Sequence, residues 1–494
     1  MPVLSRPWHR LADGPLRQWA VFTAVALLLR ASTLGDPNLH ADETFYFAAG
    51  IAMHHGVLPY VGVWDRKPFG LFLIYYLLAG FSAQPIAYQL GALASVVATA
   101  AAIAAMARRW TNAQGAVLAG VLYLVMLGPL QGFGGQSPVF YNLFMALAAL
   151  LVLGALPALR KGEAPARMLA AMALAGFAAT VKTTAIFEAV FLGLYATVVL
   201  ARARPDKRAV LPAAAVWALA GAAPALLFAA AYAAIGHGSE YLHAMVTGGL
   251  NAQSDWPTAA IRLRILFGTI APYLVLCAFG LLDQERRGRL FLSGWLAAAL
   301  VGLVSVPRFY LHYALPLALP LALAAAPFLG RRWWGPLALL AAAGASLHDY
   351  WPFDFTHTQK SRAAMAQLAQ AIDQHRHGHA LLVFDGPVLL YAMTGQPFLS
   401  PLVFPPHLNH AIERDASHLS TIAEVRRVLA LNPGVVVNTV KIRNGPANME
   451  TRAAVLRYIA TRCHSRLVVK TYEALASPDI AVFGDCAPVV KGAA

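Results

Sequence analysis

The residues best suited to chemistry lie in one short segment, residues 38–70, which reads NLHADETFYFAAGIAMHHGVLPYVGVWDRKPFG. It begins with the carboxylates of Asp42 and Glu43 and ends with Asp65 and Lys67. A carboxylate can accept a proton from an attacking hydroxyl, and a nearby cation can stabilise an anionic leaving group. Ordinary charges in a solvated loop are the alternative interpretation. Because one segment contains both carboxylates and a cation, we favour acid–base chemistry beside a departing anion.

A second group of candidates interrupts or borders apolar segments. Lys182 lies inside the apolar stretch 168–201, where an ionisable side chain is costly and is generally functional. Snorkelling of its long side chain is the alternative. Further along, SVPRFYLHYALPLALP contains Arg308, Tyr310 and His312, whose donors and rings suit a phosphate and a sugar. An interfacial aromatic belt would explain the tyrosine as well.

Metal and cofactor signals are weak in this sequence. Its 16 histidines show no compact metal-ligand spacing, and there is no glycine-rich phosphate-binding loop. We therefore expect no cofactor, although a catalytic acid pair can bind a divalent metal. Cys463 and Cys486 lie in a polar region and would form a disulfide if that region faces an oxidising compartment. Two free thiols are the alternative.

The elements that position these residues are membrane helices. Hydrophobic residues make up 59% of the 494-residue chain and charged residues 12%, whereas about 25% is usual in soluble domains. We predict about 11–13 transmembrane helices, the first of them uncleaved and starting in the cytoplasm. The apolar segments lie near residues 19–34, 68–83, 86–106, 113–129, 138–156, 168–182, 184–201, 210–235, 263–282, 290–306, 313–329 and 333–348.

Charge distribution assigns the loops to two faces. Lys and Arg cluster in short loops, the positive-inside pattern, so the net charge of +15 predicts anionic lipid contact and no nucleic-acid partner. One conflict remains, because Lys67 outside and Arg108–Arg109 inside require an odd number of crossings, yet two apolar segments separate them. The loops predicted on the outer face are 35–67, 130–138, 236–262 and 307–312.

The composition changes after about residue 349. HALLVFDGPVLLYAMTGQP predicts a strand and a short helix, and TIAEVRRVLALNPGVVVNTV predicts an amphipathic helix, a turn and a strand. RLVVKTYEA and DIAVFGDC predict two more strands. We therefore predict a transmembrane module at residues 1–348 and a C-terminal α/β domain at residues 349–494 on the outer face.

With these residues in view, the chain resembles the C-type (GT-C) glycosyltransferases. ADETFYFAAGIAMHHGVLPYVGVWDRKP resembles their first-loop signature, an Asp-Glu pair followed by an aromatic residue, a Gly-x-x-Pro-Tyr turn and Lys-Pro. RFYLHYALPLALP is similar to a later His-Tyr segment of the group. Relatives include the protein O-mannosyltransferases, the aminoarabinose transferase of lipid A and the RgtA/B/C/D-like enzymes. The resemblance covers roughly residues 20–345, with Lys-Pro-Phe here where many relatives have Lys-Pro-Pro.

The resemblance implies the GT-C fold and a multi-pass enzyme of the bacterial inner membrane. It implies transfer of a sugar from a polyprenyl-phosphate donor to an envelope acceptor, such as lipid A, core glycolipid, glycan or protein, on the periplasmic face. Asp42, with Glu43 beside it, matches the catalytic acid. Residues assigned to substrate binding are Tyr60, Asp65, Lys67, Lys182, Arg308, Tyr310 and His312.

Two other functions are compatible with the sequence. A transporter or flippase of lipid-linked sugars would need charges distributed along a path through the membrane, whereas here they gather at one face. An oligosaccharide ligase acting on lipid-linked glycans is not separated from a monosaccharide transferase by sequence.

Overall fold

The protein is described by a computed structural model over residues 14–248, 256–442, 445–474 and 476–486. The predicted cytoplasmic start of the chain and part of the predicted loop 236–262 lie outside these residues. Contacts divide the chain into two units, which we call the membrane unit and the composite unit. The membrane unit contains Met1–Ala31, Leu90–Phe228 and Asp255–Phe353, and the composite unit contains Ser32–Gln89, Ala229–Ser254 and Asp354–Ala494. The predicted domain boundary at residue 348 stays a prediction.

Every apolar segment predicted from the sequence forms a helix. Among the residues that the structure describes, seven helical segments are long and apolar enough to cross a membrane: Ile86–Ala107, Ser137–Leu159, Thr183–Ala203, Arg208–Ala234, Trp256–Leu282, Arg286–Val304 and Leu311–Leu329. The helices from the start to the end of the apolar region are α1 (Pro15–Arg30), α2 (Ala41–His54), α3 (Phe69–Ala79), α4 (Ile86–Ala107), α5 (Ala113–Leu127), α6 (Ser137–Leu159), α7 (Arg167–Val181), α8 (Ile186–Ala203), α9 (Leu211–Ala234), α10 (Gly238–Leu242), α11 (Trp256–Leu282), α12 (Arg286–Val304), α13 (Leu315–Leu329) and α14 (Trp334–Asp349).

Helix α3 offers a physical answer to the crossing conflict between Lys67 and Arg108–Arg109. It has 11 residues, and at 1.5 Å per residue its length is about 16 Å. The hydrocarbon core of a bilayer is about 30 Å thick, so a straight helix of this length does not cross it. Helix α4, with 22 residues, is long enough. If α4 alone crosses between Lys67 and Arg108–Arg109, the number of crossings is odd, as the charges require, and this topology stays a prediction.

Small residues allow the membrane helices to approach closely. A methyl group on Gly176 of α7 would clash with the Gly221 carbonyl of α9. A methyl group on Gly280 of α11 would likewise clash with the Ala324 carbonyl of α13. Such backbone proximity is typical of helix pairs in lipid, where packing rather than hydrophobic burial drives association.

The C-terminal sheet confirms the four predicted strands. Its order is β1-β2-β4-β3, with β1 and β2 parallel and the other two pairs antiparallel. Val-rich β2 is buried along its whole length, as expected for a central strand with both faces covered. The elements are α15 (Phe355–His375), β1 (Leu381–Val383), α16 (Leu389–Met393), α17 (Pro405–Asn409), α18 (Thr421–Ala430), β2 (Val435–Thr439), α19 (Met449–Arg462), β3 (Ser465–Lys470) and β4 (Asp479–Gly484).

A disulfide joins Cys463, just before β3, to Cys486, just after β4. The bond closes the hairpin at the end where Ser465 pairs with Gly484. The hypothesis of a bond between these two cysteines is confirmed by the structure. Cys277, in the apolar α11, is a buried free thiol.

The core of the composite unit includes a side chain from the first loop. Trp64 is fully buried in a cluster with Leu382, Phe384 and Leu408 of the C-terminal region. Its backbone N–H donates a 2.8 Å hydrogen bond to the Pro401 carbonyl. The first loop and the C-terminal region therefore fold together as one packed body.

Candidate active site and phosphate site

The predicted acid pair opens helix α2. His40 caps this helix, because its Nδ1 accepts a 3.2 Å hydrogen bond from the Asp42 N–H. Two carboxylates in the first turn complement the positive end of the helix dipole. Asp42 is partly exposed, whereas Glu43 is buried and its carboxylate bonds to the hydroxyl of Tyr88. Asp42 is therefore the member of the pair that is accessible from outside the protein.

The end of the first loop is a tight turn that fixes the backbone of Lys67. Tyr60 adopts a φ of 69°, a left-handed conformation that costs energy for a bulky residue. Its N–H donates to the Val63 carbonyl at 2.6 Å, and its hydroxyl donates to the Lys67 carbonyl at 2.9 Å. The Lys67 N–H donates to Oδ1 of Asp65 at 2.8 Å. Both backbone polar groups of Lys67 are thus bonded within the loop.

Asp65 belongs to a buried cluster of four charged residues, which we call the charge cluster: Asp65, Arg66, His407 and Glu413. Nε2 of His407 lies 3.4 Å from Oδ2 of Asp65, and its Nδ1 lies 3.7 Å from Oε2 of Glu413. Arg66 donates to Glu413 at 2.8 Å. All four are buried or half-buried, so their charges are compensated by one another and not by water.

Opposing effects set the protonation of the charge cluster. Burial alone would lower the pKa of His407, but the carboxylates of Asp65 and Glu413 hold that pKa above its ordinary value. Burial alone would raise the pKa of Asp65, but His407, followed by Lys67 and Arg66, holds that pKa below its ordinary value. His407 is therefore an imidazolium between two carboxylates.

Tyr46 connects the acid pair to the charge cluster. Its buried hydroxyl bonds to Asp65 and feels the charge of Asp42. Burial, with the charges of Asp65 and Asp42, raises the pKa of Tyr46 well above its ordinary value. The phenol stays protonated and acts as a donor toward the carboxylate.

In the membrane unit, Lys182 lies at a break between two helices. It ends α7 in an extended conformation, and a 3-10 turn, Thr183–Ala185, leads into α8. The prediction that two helices meet within the stretch 168–201 is confirmed, and their meeting near the outer face stays a prediction. The side chain is buried, and its Nζ lies 4.4 Å from the centre of the Tyr313 ring. A cation over an aromatic face is attracted by the ring and can still face an anion.

The other membrane-unit candidates form a continuous row with Tyr313. The rings of His312 and Tyr313 are 4.9 Å apart, and those of Tyr310 and His312 stack at 5.5 Å. The guanidinium of Arg262 covers the Tyr310 ring at 4.0 Å. We call this group, with Lys182, the cation–aromatic row. It has a cation at each end and rings between them.

Two polar contacts fix the row. Nδ1 of His312 lies 3.2 Å from Oε1 of Gln131. The Arg308 carbonyl accepts a 3.5 Å contact from Nη1 of Arg262, while the Arg308 side chain is half-buried. A row of two cations and a bonded imidazole suits a phosphate, for which charge-assisted donors are the strong ligands.

The structure brings the sequence candidates together in two groups. Asp42, Tyr60, Asp65 and Lys67 belong to the composite unit, with Glu43 at the same helix start. Lys182, Arg308, Tyr310 and His312 belong to the membrane unit. Tyr60 and Asp65 are buried and bonded to Lys67, so their described contacts position that lysine, and a direct contact with substrate stays a prediction.

Sequence reasoning did not identify His407, Glu413 or Tyr46 as site residues. The first two lie far along the chain from the loop they contact, and no local pattern marks them. Within the described ranges, no group of three His, Cys, Asp or Glu residues is close enough to hold a metal ion.

The fold has counterparts among solved structures. The chain is similar to ArnT from Cupriavidus metallidurans bound to undecaprenyl phosphate, with a TM-score of 0.63 and 15% identity over 94% of this chain and 97% of that one. The apo state of ArnT gives a TM-score of 0.59. It is also similar to the oligosaccharyltransferase AglB from Archaeoglobus fulgidus in complex with an inhibitory peptide and a dolichol-phosphate, with a TM-score of 0.50 and 12% identity over 86% of this chain and 69% of that one.

These similarities define the class of protein by its fold. The chain has the GT-C membrane fold, with a small C-terminal sheet region, as the first-loop resemblance implied. No protein-family profile and no curated protein sequence matches it. ArnT from Cupriavidus metallidurans is similar over almost the whole length of both chains.

Proposed function

We propose that the protein is a membrane glycosyltransferase that moves a sugar from a polyprenyl-phosphate donor to an acceptor in the cell envelope. The observation that carries this proposal is the partly exposed Asp42 at the start of α2, on the same loop as Lys67, in a chain with the fold of ArnT. The ArnT structure holds undecaprenyl phosphate, which is the product of such a donor once its sugar has left.

The proposed reaction is a single displacement at the anomeric carbon. The acceptor hydroxyl attacks that carbon and a new C–O bond forms, while the bond to the phosphate oxygen breaks. Asp42 accepts the hydroxyl proton. The polyprenyl phosphate leaves with the electron pair, and no further reagent is needed. Displacement from the opposite face inverts the anomeric configuration.

Cations stabilise the charge that develops on the departing phosphate. In the composite unit we assign such a role to Lys67, and in the membrane unit, taken by itself, to Lys182 and Arg262 of the cation–aromatic row. Such donors accelerate the reaction only if they are held in place before charge develops. The rings of Tyr313 and Tyr310 hold these two cations in the membrane unit. Arg308 is assigned a supporting role.

The location proposed for the reaction is the periplasmic face of the inner membrane. The disulfide between Cys463 and Cys486 supports this location, because disulfides persist in oxidising compartments and are rare in the cytosol. The composite unit contains both this bond and the first loop with Asp42. The acceptor is an envelope glycolipid, glycan or protein.

Transfer of a longer glycan is the second candidate, favoured by the similarity to an oligosaccharyltransferase. A flippase is the third, and the acid–cation pair of the first loop argues against it. One experiment separates the three. Purified protein receives a polyprenyl-phosphate monosaccharide, a lipid-linked oligosaccharide, or either lipid in sealed vesicles, and products are analysed by mass spectrometry.

Release of polyprenyl phosphate with a mass increase of one sugar on the acceptor supports the proposal. An acceptor that gains only a whole glycan would identify a ligase. Movement of lipid between leaflets without any new glycosidic bond would identify a flippase. The acceptor is found by comparing envelope glycoconjugates with and without the gene.

A further inference from the structure

We propose that His407 is a positioning residue that acts through Asp65 to hold Lys67 in place for the donor phosphate. The inference rests on the proposed function, since it assigns Lys67 to that phosphate. It concerns a residue of the C-terminal region that no motif of the first loop indicates. His407 touches neither donor nor acceptor in this proposal.

The contact path from His407 to Lys67 has two steps, both on Asp65. One carboxylate oxygen, Oδ2, lies 3.4 Å from Nε2 of His407. The other, Oδ1, accepts the Lys67 N–H at 2.8 Å. A carboxylate held on one side by a cation is fixed in rotation, so its second oxygen stays directed at the Lys67 amide. Removing the imidazolium releases that constraint.

The charges of the cluster require His407 to be an imidazolium. Asp65 and Glu413 carry one negative charge each, and Arg66 carries one positive charge, so a charged His407 makes the four residues neutral. Tyr46 also faces Asp65, but as a neutral donor. With a neutral side chain at position 407, the two buried carboxylates would lose the cation that lies between them and would keep only Arg66 and the charge of Lys67, which is destabilising.

Surrounding groups also restrict the motion of His407. The Trp64 ring meets it edge to face at 4.7 Å, and the Phe404 ring does so at 5.4 Å. Trp64 directly precedes Asp65 in the chain and is itself fixed in the core. His407 is therefore held by apolar packing as well as by charge, as expected of a group that must orient another.

The consequence for Lys67 is preorganisation of its backbone. Its carbonyl is bonded by Tyr60 and its amide by Asp65, so the lysine side chain starts from a fixed Cα position. A cation that needs no reorganisation as charge develops lowers the barrier most. Through the charge cluster, His407 of the C-terminal region thus helps to fix the position of Lys67 in the first loop.

The test compares the full-length variants His407→Gln, Asp65→Ala and the double variant with the wild type and with His464→Gln. His464 is exposed in the C-terminal region and gives a matched substitution away from the cluster. Two readouts are measured on each purified protein. One is hydrogen exchange of the Lys67 amide without donor, and the other is KM and kcat for a polyprenyl-phosphate sugar.

We expect faster Lys67 exchange and a donor KM raised about tenfold in His407→Gln, with a smaller change in acceptor KM. In the Asp65→Ala background, adding His407→Gln should change neither readout further, because the path runs through Asp65. The double variant also restores neutrality, with Glu413 and Arg66 as the remaining pair, so it stays informative if His407→Gln does not fold.

Several outcomes would overturn the inference. Unchanged Lys67 exchange in a folded His407→Gln variant would do so, as would additive effects of the two substitutions. Wild-type protein without any transfer activity would contradict the proposed function instead. In that case the exchange measurement, which needs no donor, still decides whether His407 acts on Lys67.

Discussion

The hydroxyl of Tyr60 donates a 2.9 Å hydrogen bond to the carbonyl oxygen of Lys67. The bond closes a turn in which Tyr60 itself has a φ of 69°. A strained backbone conformation of this kind persists only where surrounding contacts fix it, and it occurs often at functional sites. The strained conformation of Tyr60 costs free energy, and the turn that it forms fixes the backbone of Lys67.

Removing this hydroxyl tests its effect on the lysine. Tyr60→Phe leaves the Lys67 carbonyl without its donor, which should lower the free energy of unfolding by about 1–2 kcal/mol and raise the donor KM several-fold. Tyr232→Phe is the control, since its hydroxyl donates to the Pro59 carbonyl at 3.1 Å. A donor KM affected equally by both variants would argue against a specific link between Tyr60 and Lys67.

The proposed base is tested by Asp42→Asn. Because an amide cannot accept the hydroxyl proton, kcat should fall about 100-fold to 10,000-fold while the protein stays folded. Activity is measured as sugar transferred from a polyprenyl-phosphate donor in detergent. Asp373→Asn, at an exposed helical position, should leave the rate unchanged. Full activity of Asp42→Asn would eliminate the base assignment.

Lys182 is tested by its effect on the donor. Lys182→Gln removes one charge from the cation–aromatic row, so we expect a donor KM about tenfold higher and a weaker affinity for polyprenyl phosphate. Acceptor KM should stay the same. Lys161→Gln, in an exposed loop, provides the matched control. Identical donor kinetics in the variant and the wild type would remove Lys182 from the phosphate site.

Stability should depend on pH through His407. Its pKa in the folded protein is raised above the ordinary value of 6.5. Its stabilising contribution is therefore complete below that value and is lost as pH rises through the raised pKa. We expect the melting temperature to fall as the pH rises above the ordinary value of 6.5 and through the raised pKa, and to fall less in His407→Gln. If the melting temperature falls with pH equally steeply in the wild type and in His407→Gln, another group is responsible for the pH dependence.

The charged and titratable groups that face His407 come from a small number of residues. They are the carboxylates of Asp65 and Glu413, with Arg66 beyond Glu413 and the Tyr46 hydroxyl beyond Asp65. Asp65 has a lowered pKa, so its own contribution is lost only as pH falls below its ordinary value of 3.8. Loss of stability through Asp65 is thus expected at acid pH, and loss of stability through His407 at a pH above 6.5, so the two effects can be measured separately.

The disulfide is tested by replacing both of its cysteines. Cys463→Ser with Cys486→Ser opens a loop with a sequence separation of 23 and should destabilise the C-terminal sheet by about 2–4 kcal/mol. The measurement is thermal melting with and without reductant. Reductant should lower the wild-type value toward that of the variant and leave the variant unchanged. Non-reducing peptide mapping that finds both wild-type thiols free would contradict the bond.

The helices and strands were largely predictable from sequence because their signals are local. An apolar run such as 138–156 fixes a membrane helix by length alone, and Val435–Thr439 fixes a buried strand by its valines. Helices α15 and α19 were not predicted, because they are polar on most faces. Lys182 was recognised because a charge inside an apolar run is conspicuous.

Partners across long sequence distances could not be predicted. His407 is one of 16 histidines and lies in a short helix without a distinctive pattern. Nothing near Asp65 indicates that a residue so far along the chain will neutralise it. The predicted substrate contacts of Tyr60 and Asp65 rested on the resemblance of the first loop to the GT-C group. The hydrogen bonds that tie them to Lys67 depend on a turn geometry that composition does not reveal.

The ion pair between Arg66 and Glu413 can form only late in the synthesis of the chain. Its two residues are 347 positions apart. At a synthesis rate of about 5–20 residues per second, Glu413 leaves the ribosome roughly 20–70 s after Arg66. During that interval the first loop has neither Trp64 covered nor its charges neutralised. The last assembly step of the composite unit therefore needs the residues that follow α14. A chain truncated after α14 should stop before this step, with its first loop exposed to chaperones and proteases.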